Sequence, residues 1–262
     1  MSAVDFHNHM IPGVDDGSQT VEQSLGSLQE MWDQGIEAVI TTPHFRASNL
    51  NASADFSGRM QEIDTAWVQL ADAARTALPD MRLSRGVELA LDEPIAAMPD
   101  KRARLAGTPF VLVEFPYFAI PPHSVAAIRN LKSYGVKPII AHPERYSGLD
   151  DDLQPLLDWK VAGAFLQTNE PSLLGRYGKK IERTAWKVLE AGLADFLSTD
   201  SHARETCPLN EVRERFASRE ADAQFRLLTE VNGQRLLRGV EPTPVPGIAR
   251  SRRRWPFSFK SR

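Results

Sequence analysis

Three absences limit what this 262-residue chain can be. It has a single cysteine, Cys207, which excludes a disulfide framework and favours a reducing compartment. No stretch approaches the ~18 apolar residues of a membrane helix, and the first residues lack the apolar segment of a secretory signal. The formal net charge of −3 gives no sign of a nucleic-acid partner. We therefore expect a cytoplasmic globular protein that binds no nucleic acid.

Short apolar segments alternate with longer helical patterns along most of the chain. The short segments are rich in Val, Ile, Leu and Phe, as in strands buried on both faces of a parallel sheet. The predicted strands are 4–6, 38–41, 83–87, 111–113, 138–141, 165–168 and 196–198, and the predicted helices are 20–34, 56–77, 124–134 and 176–191. This alternation implies βαβ units. It predicts an α/β fold, either an irregular seven-stranded barrel or a doubly wound open sheet.

A change of composition near the C-terminus predicts a separate tail. After the proline-rich segment 242–247, residues 248–262 are basic and contain no acidic residue, with Trp255, Phe257 and Phe259 interleaved. Such a composition is typical of a flexible tail, and it also suits weak contact with a membrane surface or docking onto a partner. We predict a barrel domain over residues 1–247 and a basic, flexible tail over residues 248–262.

Imidazole and carboxylate groups follow six of the seven predicted strands. They are His7, His9, Asp15 and Asp16 at the first strand, His44 at the second, Glu88 at the third, Glu114 at the fourth, His142 and Glu144 at the fifth, and Asp200 and His202 at the seventh. Among the six histidines, only His123 lies elsewhere. The carboxyl ends of the strands in a parallel barrel share one face, so we expect these side chains to meet there.

The types and spacing of these residues indicate a metal site. Side chains two residues apart on an extended strand project to the same side, so His7 and His9 can offer two nitrogens to one ion. A single histidine or glutamate at a strand end is more often a hydrogen-bonded structural residue. So many imidazoles and carboxylates together, however, would repel one another or stay unpaired without cations. Zinc, manganese and iron are the ions that suit such ligands.

Six segments resemble the PHP (polymerase and histidinol phosphatase) superfamily, and most of all its bacterial protein-tyrosine phosphatases of capsule and exopolysaccharide synthesis. They are DFHNHMIPGVDDG, TPHFR, GVEL, VEFP, IAHPERY and STDSH, and the resemblance extends from about residue 4 to about residue 240. It implies a distorted (β/α)7 TIM-like barrel with the metal site at the C-terminal ends of the strands. It also implies hydrolysis of phosphotyrosine on a protein, namely a membrane-associated tyrosine kinase that regulates polysaccharide synthesis.

The resemblance further implies up to three divalent ions, with Mn²⁺ preferred and iron or zinc as alternatives. Its three ligand sets are His7, His9, Glu88 and Asp200; Glu88, Glu114 and His142; and Asp16, His44 and His202. Arg145 and Arg46 match arginines that bind phosphate in this branch. One position departs from the pattern, because Cys207 stands where a further arginine is expected, although Arg204 is nearby.

Several alternatives stay open at this point. A histidinol-phosphate or other small-molecule phosphomonoesterase would share the barrel and the ions, as would a nuclease-type member or a non-enzymatic metal-binding regulator. The general acid is also open, with Glu144 and Asp15 as candidates for that role or for supporting the ligands. Residues 207–213 have the Cys-x5-Arg spacing of thiolate phosphatases. We reject that mechanism because the segment lacks glycines and Pro208 removes an N–H group.

Overall fold

Two parallel β-sheets form the centre of the structure, a computed structural model that describes residues 2–93, 95–97, 100–149 and 152–249. The strands are β1 (Ala3–Asp5), β2 (Ile36–Thr41), β3 (His44–Arg46), β4 (Arg82–Arg85), β5 (Glu88–Ala90), β6 (Phe110–Glu114), β7 (Lys137–Ala141), β8 (Phe165–Asn169) and β9 (Phe196–Ser198). One sheet has the order β1-β2-β4 and the other the order β3-β5-β6-β7-β8-β9. All neighbouring strands within them are parallel.

Two of the barrel strands are interrupted in the middle. Only two residues separate β2 from β3, and one of them is Pro43, which has no N–H for the strand ladder. Only two residues separate β4 from β5. The two halves stay joined because Gly86 N–H donates to Thr41 O at 2.9 Å and Glu88 N–H donates to Pro43 O at 3.0 Å. The nine described segments therefore correspond to seven barrel strands.

Backbone hydrogen bonds also join the first and last strands. Asp200 N–H donates to His7 O at 2.7 Å, and His9 N–H donates to Ser201 O at 2.8 Å, just beyond the ends of β1 and β9. These contacts connect the two remaining edges into a ring. The α/β class is confirmed, and the seven-stranded barrel is favoured over the open sheet.

Ten α-helices are present in the described part of the chain. They are α1 (Val21–Asp33), α2 (Ala47–Asn51), α3 (Ser53–Ala77), α4 (Ser124–Ser133), α5 (Gln154–Ala162), α6 (Glu170–Leu173), α7 (Lys179–Glu190), α8 (Leu209–Ala217), α9 (Asp222–Arg226) and α10 (Asn232–Leu237). The sequence pattern predicts α1, α3, α4 and α7 within a few residues but misses the others. In α5 the reason is clear, because Leu157 and Val161 are apolar yet exposed and so obscure the amphipathic pattern.

Buried apolar side chains form one cluster inside the barrel and a larger one between strands and helices. Along β6, Phe110 and Leu112 belong to the inner cluster, whereas Val111 and Val113 belong to the outer one. Successive side chains of a strand point to opposite faces, so Glu114 lies on the inner face at the carboxyl end of β6. Apolar residues therefore fill the barrel beneath a polar layer.

The C-terminal segment packs against the barrel further than the predicted boundary at residue 247. Ile248 is buried, and its N–H donates to Leu189 O at 3.2 Å. Residues 250–262 of the predicted tail lie outside the described residues. Across the ranges that the structure describes, no helix has the length and apolar character needed to cross a membrane.

Candidate metal centre

All nine predicted metal ligands lie in one cluster at the carboxyl ends of the strands. Four groups have donor atoms within 4.8 Å of one another: His7, His9 and Asp200; His7, Glu88 and His142; His44, Glu88 and Glu114; and His9, Asp16, His44 and His202. These groups share members, so neighbouring ions bound here would have ligands in common. That each residue binds a metal stays a prediction.

Glu88 lies at the centre of the cluster. Its Oε1 is 3.1 Å from Nε2 of both His7 and His142. Its Oε2 is 3.0 Å from Nδ1 of His44 and 3.5 Å from Nε2 of His9. The side chain is fully buried, so its two oxygens face imidazole nitrogens rather than solvent, and both would be available as metal ligands.

Asp200 completes the innermost group. Its Oδ1 lies 3.2 Å from His7 Nε2 and 3.4 Å from His9 Nε2. Asp200 and His142 both have left-handed backbone conformations, with φ values of 53° and 35°. Such conformations are unfavourable for residues with a side chain and are often found at functional sites. The local backbone is therefore bent to aim these two side chains into the cluster.

The third group is nearer to solvent. Asp16 Oδ1 lies 3.5 Å from His44 Nε2 and 3.4 Å from His202 Nε2. The His9 ring stacks on the His202 ring, with centres 4.1 Å apart, which adds His9 to this group. The Asp16 side chain is 61% exposed, so this part of the cluster forms the mouth that a substrate would meet first.

Hydrogen bonds orient the imidazole rings of His7 and His9. His7 Nδ1–H donates to Gln167 Oε1 at 2.9 Å, and His9 Nδ1–H donates to Asp15 Oδ2 at 2.7 Å. Each ring therefore turns its Nε2 lone pair towards the carboxylates. Within the described residues, both Nε2 atoms are fully buried and form no hydrogen bond. A buried acceptor facing carboxylate oxygens is unfavourable unless a cation lies between them, so these residues fit a metal ion.

The pKa shifts in the cluster also show that its carboxylates favour positive charge on their neighbours. Burial alone would lower the pKa of His9, but the nearby carboxylates of Asp15 and Asp200 raise it to about 9. Burial would likewise lower the pKa of His44, but the nearby carboxylates of Glu114 and Glu88 raise it to about 11. Protons on these rings and metal ions at the same place neutralise the same carboxylates, so metal binding should release protons.

Both candidates for the general acid hold the scaffold in place. The Asp15 carboxylate accepts hydrogen bonds from His9 and from the backbone N–H of Gly17 and His44. Burial would raise its pKa, but the His9 hydrogen bond and charge lower it to about 2, so it carries no proton near neutral pH. Glu144 Oε1 accepts hydrogen bonds from Asn169 N–H at 3.0 Å and from the Ser172 hydroxyl at 2.6 Å.

Gly17 permits the close packing of this loop. A Cβ atom at this position would lie 2.2 Å from the backbone oxygen of His9 and 2.3 Å from its Cβ. Only glycine can approach His9 so closely. The Asp15–Asp16–Gly17 segment thereby places the Asp15 carboxylate at Nδ1 of the His9 ring and Asp16 at the exposed side of the cluster.

The predicted arginines lie at the edge of the cluster. Arg145 Nη1 donates to Asp200 Oδ2 at 2.9 Å. Arg46 is exposed on β3 and lines a cleft of about 690 Å³ together with His44 and Glu114. Arg204, the predicted substitute for the absent arginine, donates to the backbone oxygen of Asp16. All three therefore contact the cluster or line the cleft beside it.

Three polar residues of the site were not predicted from the sequence. Gln167 and Asn169 come from the end of β8, the one strand end for which no site residue was predicted. Asn169 Nδ2 donates to Asp200 Oδ2 at 2.7 Å, and Gln167 Nε2 donates to Asn169 Oδ1 at 2.9 Å. The polar QTN sequence after apolar residues was the available signal. Arg59 of α3 also lines the cleft, and nothing in the sequence pattern marks it.

Cys207 has no part in the cluster. It is buried, its N–H donates to Glu30 Oε1 at 3.1 Å, and burial raises the pKa of its thiol. A reactive cysteine needs the opposite, an accessible thiol with a lowered pKa. The structure thus supports the rejection of a thiolate mechanism.

The fold and the site together define an α/β-barrel protein with a candidate metal centre at the carboxyl ends of its strands. The chain belongs to the capsular polysaccharide synthesis CpsB/CapC family, whose model matches residues 3–238. This match confirms the resemblance to the capsule-type branch.

Curated relatives cover most of the chain at modest identity. The putative tyrosine-protein phosphatase CapC of Staphylococcus aureus is 26% identical over 227 residues, which are 86% of each chain. The tyrosine-protein phosphatase YwqE of Bacillus subtilis is 26% identical over 219 residues, which are 78% of each chain. The tyrosine-protein phosphatase CpsB of Streptococcus pneumoniae is 24% identical, over 78% of this chain and 85% of its own.

Solved structures support the fold. A structure described as YwqE from Bacillus subtilis and CpsB from Streptococcus pneumoniae, "unique metal-dependent tyrosine phosphatases", matches with a TM-score of 0.72 and 23% identity, over 94% of this chain and 100% of its own. The phosphotriesterase homology protein from Escherichia coli, complexed with phosphate, matches with a TM-score of 0.51 and 14% identity, over 89% of this chain and 98% of its own. These likenesses show a shared barrel architecture.

Proposed function

We propose that this protein is a metal-dependent protein-tyrosine phosphatase that hydrolyses phosphotyrosine in a protein substrate. The observation that carries the proposal is the buried cluster of imidazoles and carboxylates, in which the Nε2 atoms of His7 and His9 face carboxylates without a hydrogen bond. The names of the relatives, several of them tyrosine-protein phosphatases, support the choice of substrate class.

Up to three divalent ions are proposed, with Mn²⁺ as the ion and iron or zinc as the alternatives. Such ions supply hydroxide near neutral pH and stabilise the charge that develops on a phosphoryl group. The proposed ligands are His7, His9, Glu88 and Asp200 for the first ion, Glu88, Glu114 and His142 for the second, and Asp16, His44 and His202 for the third. Glu88 contacts His7 of the first ligand set and His142 of the second, which favours its assignment to both ions.

The arginines and the supporting residues have separate roles in this mechanism. Arg145 and Arg46 bind the phosphoryl oxygens, for which a planar guanidinium offers paired N–H donors. Asp15 and Gln167 keep the His9 and His7 rings in their binding orientation. A tyrosine leaving group has a pKa of about 10 and needs less acid assistance than an alkyl alcohol. The reaction is therefore compatible with Asp15 and Glu144 acting as structural supports.

The proposed substrate is the tyrosine-rich tail of a membrane-associated kinase that regulates capsular or exopolysaccharide synthesis. The family's link to capsular polysaccharide synthesis supports this partner. We place the enzyme in the cytoplasm, with no nucleic-acid partner and with weak membrane contact through the basic tail. A chain that ends at residue 249 should bind anionic vesicles less than the full chain does, and equal binding would exclude the membrane role of the tail.

One experiment tests the activity and its main alternatives. Elemental analysis of the purified protein is combined with hydrolysis of a phosphotyrosine peptide before chelation, after chelation and after addition of Mn²⁺. We expect activity that disappears with the metals and returns with them. Faster turnover of histidinol phosphate than of the peptide would favour the small-molecule phosphatase. A metal-loaded protein that hydrolyses no phosphomonoester would favour a non-enzymatic regulator.

A further inference from the structure

We propose that Phe118 is a specificity-determining residue that binds the phenyl ring of the substrate, while Phe118 and Tyr177 together position Arg145. The inference rests on the proposed function and names the part of the site that distinguishes aryl from alkyl phosphate esters. It follows from three observations: the contacts of Arg145, the exposure of Phe118, and the backbone conformation of Phe118.

Two aromatic rings hold the Arg145 guanidinium. Its central carbon lies 4.3 Å from the centre of the Phe118 ring and 4.5 Å from the centre of the Tyr177 ring. The hydrogen bond to Asp200 ties one end of the same group to the proposed metal cluster. A guanidinium stacks well on aromatic faces and keeps further N–H donors for other oxygens. Arg145 is therefore positioned to bind a phosphoryl group beside the cluster.

Phe118 lies between the cluster and solvent. It lines the same cleft as His44, Arg46 and Glu114, and its ring centre is 5.6 Å from that of His142. Yet Phe118 remains 38% exposed, although large aromatic side chains are usually well buried. Its ring is thus available to a molecule that enters the cleft.

The backbone keeps the ring in this exposed position. Phe118 ends the 3₁₀ turn Pro116–Phe118 with a φ of 49°, in the left-handed region that residues with a side chain rarely adopt. The N–H and hydroxyl of Ser147 both donate to the Phe118 carbonyl, at 2.9 and 3.3 Å. Ser147 follows the turn Pro143–Arg145, so the segment that carries Phe118 is fastened to the segment that carries Arg145. Such strain persists only where surrounding contacts enforce it.

The distances explain why an aryl ester would benefit. Once Arg145 binds a phosphoryl oxygen, the ester group lies beside the Phe118 ring, because that ring already contacts the guanidinium. Aromatic rings attract each other at centre distances of about 4.5–7 Å, and a phenyl group one ester bond from the phosphorus falls within reach of this range. An alkyl ester offers no such face, although its phosphoryl group makes the same contacts with Arg145.

The test compares aryl and alkyl ligands on the metal-loaded protein and on its Phe118→Leu variant. The measured quantities are the kcat/KM values for phenyl phosphate and propyl phosphate, and the inhibition constants of phenylphosphonate and propylphosphonate. We expect Phe118→Leu to lower the preference for the aryl ligand by about 2- to 10-fold, mainly through KM. Phe118→Tyr should keep the preference, and Tyr134→Leu, which removes a 37%-exposed ring outside the cleft, should change neither ligand.

Each outcome decides a different point. A Phe118→Leu variant with bound metals that loses aryl and alkyl ligands equally would show that the ring only positions Arg145, and aryl recognition would be refuted. Tyr177→Leu should weaken both ligands equally, while Tyr177→Phe should weaken neither. If the wild-type protein hydrolyses no monoester but still binds phenylphosphonate more tightly than propylphosphonate, the proposed function fails and the aryl site stands. Metal content and circular dichroism of each variant confirm that the comparison is made on folded protein.

Discussion

Replacing Asp15 by alanine tests whether this carboxylate supports the metal centre. Its side chain is only 4% exposed and accepts three hydrogen bonds, from His9 Nδ1 at 2.7 Å, Gly17 N–H at 3.0 Å and His44 N–H at 3.1 Å. The Asp15→Ala variant leaves these donors without their acceptor and frees the His9 ring to rotate. Loss of such a supporting contact weakens metal affinity or activity about 10- to 100-fold, or about 1.4–2.8 kcal/mol.

The assay measures bound metal, chelator competition and turnover of aryl phosphates whose phenols differ in pKa. If Asp15 supports His9, metal is lost, excess Mn²⁺ restores part of the activity, and the loss is similar for every phenol. Asp15→Asn, which keeps one acceptor oxygen, should lie between wild type and Asp15→Ala. Asp72→Ala, which removes an exposed carboxylate of α3, is the matched control and should behave as wild type.

Two results would refute this reasoning. Unchanged metal content and unchanged turnover in Asp15→Ala would show that His9 needs no such support. If Asp15→Ala instead keeps its full metal content and loses more activity as the pKa of the leaving phenol rises, Asp15 would be assigned to general acid catalysis.

The remaining predictions concern loop packing, the cysteine, helix packing and pH. Gly17→Ala should strip metal from the protein, because the new methyl group collides with His9, and elemental analysis would detect this. Cys207→Ser should keep kcat/KM within about 2-fold, since the buried thiol takes no part in the reaction; loss of activity with metals bound would contradict this. Gly233→Ala should lower the free energy of unfolding by about 1–3 kcal/mol in urea titrations, because its Cβ would lie 2.5 Å from Val4 Cβ, while metal-site residues are untouched. In the metal-free protein, protonation of His9 stabilises the fold because its pKa is raised to about 9. This stabilisation is complete below about pH 6.5 and is lost as pH rises through about 9. The melting temperature of chelated protein should therefore fall over this range more steeply than that of metal-loaded protein, and parallel curves would count against it.

Much of the barrel could be predicted from the order of short apolar segments, because strands buried on both faces have a recognisable composition. The interruptions within two of the barrel strands could not be predicted in this way. Pro43 breaks one ladder, but the sequence does not show that Gly86 and Glu88 rejoin the halves through bonds to residues more than 40 positions away. Helix α5 escaped prediction because its exposed apolar residues depend on tertiary surroundings.

The sequence by itself determined which residue types stand at the strand ends and that His7 and His9 project together, since these depend on the two-residue period of a strand. Only the tertiary structure decided that Glu88 lies between four imidazoles, that Gln167 and Asp15 orient two of them, and that Phe118 contacts Arg145. The physical reason is that all but one of these contacts join different strand ends, so they depend on the assembly of the barrel and not on local sequence pattern. The exception is the Asp15–His9 contact, which depends on the loop that Gly17 allows to pack against His9.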